Sequence, residues 1–237
     1  MKLFLKKILH KFGYKISKVY QNQLQDDNPF YGIKKSLIDK NNIILFDIGA
    51  NLGQTIKKMK MEFPTSKIYA FEPSRHCYEV LKKDVANNNV FIYHKAVGAK
   101  NDTIKFNEYS WSALNSILKR AFGTAQILDS YDVDLISIDS FCKENNISKI
   151  DLLKTDTEGY ELEVLKGASN MMDNNNIQFV YVEVFFKENY IGQSSFGDIY
   201  NFLLGKRFEL VKMYDFEVTT DGLLNRSDAL FLNKNFK

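Results

Sequence analysis

A doubly wound α/β fold, with a mainly parallel sheet and helices on both faces, is what this sequence predicts, and three observations carry the prediction. Short apolar, β-branched runs alternate with helical patterns at residues 43–47, 67–72 and 90–94. The rhythm resumes at 150–154 and 177–184, where the last run, IQFVYVEV, is apolar almost throughout, as strands covered on both faces are. Finally, the first run leads into DIGANLG, a turn bounded by Gly49 and Gly53 and followed directly by a helical pattern.

The elements follow in chain order. Residues 1–18 place Leu5, Ile8, Leu9, Phe12 and Ile16 at helical spacing with lysines on the other faces. The first 25 residues hold six lysines and no acid, so the rest of the chain is net negative although the whole carries +3. Two readings stand for this helix: attachment to an anionic membrane surface, or a lid packed on the main domain. Lysines interrupt the apolar stretch, which argues against a secretory signal. Residues 21–40 are polar, contain Asn28-Pro29, and predict a linker with one short helix, so the expected division is 1–40 for helix and linker and 41–237 for the main domain.

The helix after Gly53 ends before Pro64, and Pro73-Ser74 opens another with Tyr78, Leu81 and Val85 at core spacing. Residues 99–136 break the rhythm. An extra strand is expected at 103–106, and the small polar stretch 109–116 around Trp111 is either a ligand-facing loop or a surface excursion whose tryptophan plugs the core. Short helices are expected at 139–145, after Glu161 with Leu162 and Leu165 inward, and at 195–204; strands are expected at 208–213 and 228–232.

Composition narrows the function classes. With 237 residues, 45% hydrophobic and 26% charged, the chain suits one large soluble domain. Its apolar runs are too short to span a bilayer. Cys77 and Cys142 are far apart, which excludes a zinc knuckle and predicts a reducing compartment. A nucleic-acid surface is not expected on a net-negative domain.

In an open parallel sheet, ligands bind beyond the carboxyl ends of the strands, where this sequence places Asp47, Glu72, His94, Asp156 with Glu158, and Glu183. Glu72, 25 residues after Asp47, can accept both hydroxyl hydrogens of a ribose; alternatively it serves the dipole of the following helix. Asn51 stands where a G-x-G-x-x-G dinucleotide loop would carry its second glycine, so a nucleoside without pyrophosphate, such as S-adenosylmethionine, fits better than NAD.

These residues also carry a family resemblance. ILFDIGANLGQT, YAFEPS, the KAVG turn and residues 138–168, with the run K-x-D-x-E-G-x-E-x-x-V-L-x-G, resemble the FkbM family of S-adenosylmethionine-dependent methyltransferases, over residues 43–184. The resemblance implies a class I methyltransferase fold, with a seven-stranded sheet whose last strand is antiparallel. It implies O-methylation, most often of a sugar hydroxyl in a glycan or of a polyketide hydroxyl. By position, Asp47, Gly49, Asn51 and Gly53 shape the loop around the methionine moiety, Glu72 holds the ribose, Ala96 or Val97 borders the adenine, and Ser74, Ser112 and Asp156 complete the cofactor set. Asn115 is a looser candidate.

An alcohol is a poor nucleophile until its proton is withdrawn, so a positioned base is required. Asp156 is the expected base, Lys154 is expected to stay buried against an acid, and Glu158 or Glu183 is expected to bind the acceptor or assist. Glu158 and Glu161 also suit a helix start for its dipole alone. Phe185, Phe186, Lys187 and Tyr190 are candidates for the acceptor pocket or for core. Asp156, Glu158 and Glu183 offer hard oxygens to Mg2+, but their spacing does not require a metal and none is expected. Expected partners are a small-molecule or glycan acceptor, a membrane surface through residues 1–20, and a second copy in a homodimer. The expected location is cytoplasmic, with attachment at the inner membrane face left open. The competing functions are a polyketide or other small-molecule O-methyltransferase, a NAD-dependent oxidoreductase, and a noncatalytic Rossmann-like binding protein.

Overall fold

The computed structural model describes residues 27–85 and 89–236, and Lys11 apart from them. The basic helix expected within residues 1–20 lies outside the described residues. Chain order is α1 (Pro29–Ser36), β1 (Ile44–Ile48), α2 (Gln54–Glu62), β2 (Lys67–Phe71), α3 (Arg75–Asp84), β3 (Val90–Tyr93), β4 (Ala96–Val97), β5 (Asp102–Tyr109), a 3-10 turn (Ser112–Leu114), β6 (Ile127–Ile136), α4 (Ile138–Glu144), β7 (Ile150–Thr155), α5 (Glu161–Lys166), α6 (Ser169–Asp173), β8 (Ile177–Phe185), α7 (Phe196–Gly205), β9 (Phe208–Val218) and β10 (Leu224–Asn233).

Seven strands form the main sheet in the order β3-β2-β1-β7-β8-β10-β9. All pairings from β3 to β8 are parallel, whereas β10 is antiparallel to both β8 and β9. The expected antiparallel last strand is therefore present, inserted between β8 and β9. Every residue of β7 and β8 is buried, because helices cover both faces there. One face packs Phe46, Leu153, Val180 and Val182 against Phe141 of α4, Leu165 of α5 and Leu203 of α7. The other packs Leu45, Leu152 and Phe179 against Ile33 of α1, Met59 of α2 and Leu81 of α3. Phe30 of α1 meets Tyr181 edge-on at 5.9 Å, so the core of the main domain takes in residues that precede 41.

Two expectations needed enlarging. Residues 96–136 build a second, three-stranded sheet in the order β4-β6-β5, not a single extra strand. The signal for β6 was present: Tyr131, Val133 and Leu135 face inward and alternate with Asp132 and Asp134. At the far end, β9 and β10 run on as a long hairpin past residues 213 and 228, since pairing continues through β-bulges to Val218 and Leu224.

The chain reverses its direction of growth at β1, which pairs with β2 on one side and β7 on the other. A crevice opens there beyond the carboxyl ends of these strands.

Candidate active site

A pocket of about 320 Å3 fills this crevice. Its floor is the loop after β1. Gly49 and Ala50 both donate backbone N–H bonds to Phe71 O, which folds the loop over the end of β2. Asn51 turns with φ +47°, a left-handed conformation that asparagine tolerates better than most residues. Gly49 is demanded by the protein itself: its φ is +79°, and a Cβ there would lie 1.9 Å from Asp156 O. Gly53, with φ +83°, would press a Cβ to 2.9 Å from Leu81 of α3. Both glycines thus permit close packing of the loop, and Gly53 serves α3 instead of facing a ligand.

Glu72 lies at the end of β2 and lines the pocket, 4% exposed. Asn51 N donates to one of its oxygens at 2.7 Å and Ser74 N to the other at 2.8 Å, so the acid ties the first loop to the second. Each oxygen keeps a further lone pair for a ligand hydroxyl. Burial pushes the Glu72 carboxyl up to about 7 despite these two donors. Ala96, Val97 and Phe106 supply apolar wall, and Ser112, Ala113 and Asn115 bring the small polar segment to the opposite side. Trp111 is 62% exposed, so the segment faces the pocket and its tryptophan plugs nothing.

Two expected cofactor contacts are corrected. The buried Ser74 hydroxyl accepts from Cys77 N as the cap of α3 and donates to Glu108 at 2.6 Å, which occupies it away from the pocket. Asp47 is completely buried and holds Lys154 at 3.1 Å; among the described residues neither of its oxygens has an aligned hydrogen bond. His94 stacks on Tyr78 at 4.7 Å and bonds Pro73 O, a packing role.

Lys154, the fifth residue of β7, is 5% exposed yet reaches the pocket wall. Its ammonium lies between Asp47 and Asp156, 3.4 Å from the latter, and donates to Gly49 O at 3.3 Å. Burial alone would push this lysine down, but Asp47 and Asp156 reverse the effect and hold it protonated above the usual lysine range. Asp156 follows β7 with its side chain 40% exposed on the pocket wall. It also borders, with Lys154 and Thr55, a second cavity of about 440 Å3 reaching Tyr181 and Asp228.

Glu158 lines the same pocket in a left-handed turn, φ +55°. Tyr190 donates its hydroxyl to Glu158 at 2.7 Å. Burial and the neighbouring Asp156 push the Glu158 carboxyl up to about 8. Glu183, from β8, is buried against Arg226, 2.6 Å away, and burial with repulsion from Asp156 and Glu158 raises its carboxyl well above the ordinary range. Glu161 accepts from the backbone N–H groups of Thr157 and Gly159, so it locks the turn that aims Glu158. Phe185 and Tyr190 are core residues, and the Tyr190 hydroxyl holds Glu158 and also reaches Leu114 O at 3.3 Å in the polar segment.

Sequence reasoning missed Arg226. It comes from β10, outside the segment that carries the resemblance, and bonds Glu183 and Glu217 while lying 3.7 Å from Glu158. Its neighbours Asn225, Ser227 and Asp228 are polar too, so the local sequence held no signal that sets Arg226 apart.

The pocket fits S-adenosylmethionine: a buried acid at the end of β2 has free lone pairs for ribose hydroxyls, an apolar wall suits a purine, and the donor set offers no phosphate cradle. Fold and pocket together define a class I S-adenosylmethionine-dependent methyltransferase. The chain belongs to the methyltransferase FkbM domain family, whose profile matches residues 47–210.

Methyltransferase sdnD of Sordaria araneosa is 31% identical over 157 residues, covering 54% of this chain and 61% of that protein. The 2-O-methyltransferase NoeI of Sinorhizobium fredii is 23% identical over 205 residues, covering 81% of this chain and 83% of its own. The hexuronic acid methyltransferase AglP of Haloferax volcanii is 29% identical over 143 residues, covering 60% and 55%. The match therefore spans less than two thirds of sdnD and of AglP. A solved Listeria monocytogenes structure, described as an S-adenosylmethionine-dependent methyltransferase, shares the fold with TM-score 0.51 at 8% identity, covering 88% of this chain and 99% of that one.

Proposed function

We propose that this chain O-methylates a hydroxyl of a sugar in glycan or surface polysaccharide biosynthesis. One observation carries the reading: Asp156, half-exposed at the end of β7, stands on the wall of the donor pocket and borders the second cavity as well, so a group entering beside the donor meets a carboxylate. The similarity to NoeI, a 2-O-methyltransferase, and to AglP, a hexuronic acid methyltransferase, supports oxygen and sugar as the acceptor class.

When bound, S-adenosylmethionine supplies a methyl group already activated on a sulfonium. The chain's residues then bind, orient and withdraw a proton. Glu72 takes ribose hydroxyls, and Asn51, Ser112, Ala96 and Val97 frame the rest of the nucleoside side. Lys154, clamped by Asp47, orients Asp156. Asp156 accepts the proton of the acceptor hydroxyl, and Glu158, held by Tyr190, sits beside it to position the sugar.

Paired variants test these roles. Asp156→Asn is expected to bind S-adenosylmethionine as the parent does and to lower turnover by about 10²–10⁴-fold. Glu72→Ala is expected to weaken donor binding in calorimetry. A parental rate in Asp156→Asn removes the base assignment.

A further inference from the structure

The spacing of the acids along the chain does not require a metal, but folding draws three of them together. Asp156 after β7, Glu158 in the following turn and Glu183 of β8 each bring one carboxylate oxygen within 4.8 Å of the other two. Arg226 answers part of this charge. It bonds Glu183 Oε1 at 2.6 Å and Glu217 at 2.7 Å, and it stands 3.7 Å from Glu158. Lys154, the other nearby cation, is already engaged by Asp47 as well as by Asp156. Carboxyl groups therefore outnumber cationic side chains around the cluster.

A second observation is independent of the clustering. Glu183 is 5% exposed, and its Oε2 has no hydrogen-bond partner among the described residues. A buried carboxylate oxygen without a donor is costly and is ordinarily satisfied by a ligand, an ion or a proton. This one belongs to the side chain that contributes to the cluster.

We propose that Asp156, Glu158 and Glu183 form a divalent-cation site beside the donor pocket. All the donors are hard carboxylate oxygens, the ligand type of Mg2+ and Ca2+ and not of thiolate-seeking metals. Opposed oxygens lie about 4.6–5.2 Å apart around Ca2+ and about 4.0–4.2 Å apart around Mg2+. Three oxygens cannot all be opposed, so a cluster spanning up to 4.8 Å closes on either ion by an inward movement of the half-exposed Asp156, smaller for Ca2+ than for Mg2+. Three protein oxygens leave coordination positions for water or for hydroxyls of an acceptor, and a vicinal diol fills two. Each acid offers one oxygen, so the second oxygen of Asp156 remains to take a proton. This use of the ion rests on the methyltransferase reading; the binding site itself does not.

Calorimetry on the full chain, stripped with EDTA and titrated with CaCl2 or MgCl2 alone, tests the site without donor or acceptor. The expected result is saturable binding of at least one ion, weakened by about tenfold or more in Glu183→Gln and in Asp156→Asn. Asp156→Asn changes a half-exposed side chain and guards against a fold defect in the buried Glu183 variant. Glu163→Gln removes a carboxylate outside the cluster, paired with Lys166, and is expected to bind as the parent. Absence of saturable binding by either ion up to about 10 mM, or parental binding in both cluster variants, overturns the proposal. A chain that fails to bind ions but methylates leaves the functional reading intact, and an inert chain that binds them leaves the site intact.

Discussion

Among individual residues, Glu158 shows how burial sets chemistry. The sequence offered it as either an acceptor ligand or a helix-starting acid, and the turn locked by Glu161 carries it to the pocket instead of leaving it to the dipole of α5. Its carboxyl is raised from the ordinary 4.5 to about 8, first by burial and then by Asp156. The folded chain therefore keeps a proton that the unfolded chain has released. That contribution to stability is complete below about 4.5 and disappears as pH rises through about 8. In chain freed of divalent ions, the parent is expected to lose stability relative to Glu158→Gln across this window, as read by urea midpoints at several pH values. A parent that gains on the variant as pH rises contradicts the burial argument. The positions of Glu72 and Asp156 at the pocket were legible because topology alone brings the ends of β2 and β7 to the crevice. What Ser74, Asp47 and Gly53 touch was not legible for one reason: a neighbour in space, Glu108, Lys154 or Leu81, meets each of them, and spacing along the chain does not record it.

At the scale of elements, local chemistry explains what could be foreseen. β8 was evident because an uninterrupted apolar run has no other stable place than the middle of a covered sheet. α7 starts where a capping box places it: Ser195 accepts from Asp198 N, and the Asp198 carboxylate accepts from Ser195 N. Ser195→Ala is expected to cost about 1 kcal/mol in urea unfolding while leaving donor affinity unchanged, since α7 lies outside the pocket. A loss of donor affinity would mean that α7 couples to the crevice. The three-stranded sheet of β4, β5 and β6 was harder to foresee because one of its pairings skips a strand: β6 pairs with the preceding β5 in antiparallel fashion and also with β4 in parallel. Pairing of this kind is decided by side-chain burial against the main domain, which a local pattern expresses weakly.

For the whole molecule, the parallel sheet and its switch at β1 place the donor pocket, and the family profile spans every residue that lines it except Arg226. β10 then adds Arg226, so the part of the chain beyond the recognisable motifs also lines the pocket. Among the described residues, no helix is long and apolar enough to cross a membrane. The NAD-dependent alternative gives way to the FkbM match and to a loop without a phosphate cradle. What distinguishes this account from a fold assignment is the claim that a sugar hydroxyl is methylated at Asp156. Incubating the chain with methyl-labelled S-adenosylmethionine and a panel of sugar nucleotides and glycan extracts, with and without divalent ions, tests that claim most directly. The account predicts label recovered as an alkali-stable methyl ether on a sugar oxygen, and its loss in Asp156→Asn; label recovered as an alkali-labile ester or on nitrogen, or at the parental level in Asp156→Asn, would contradict it.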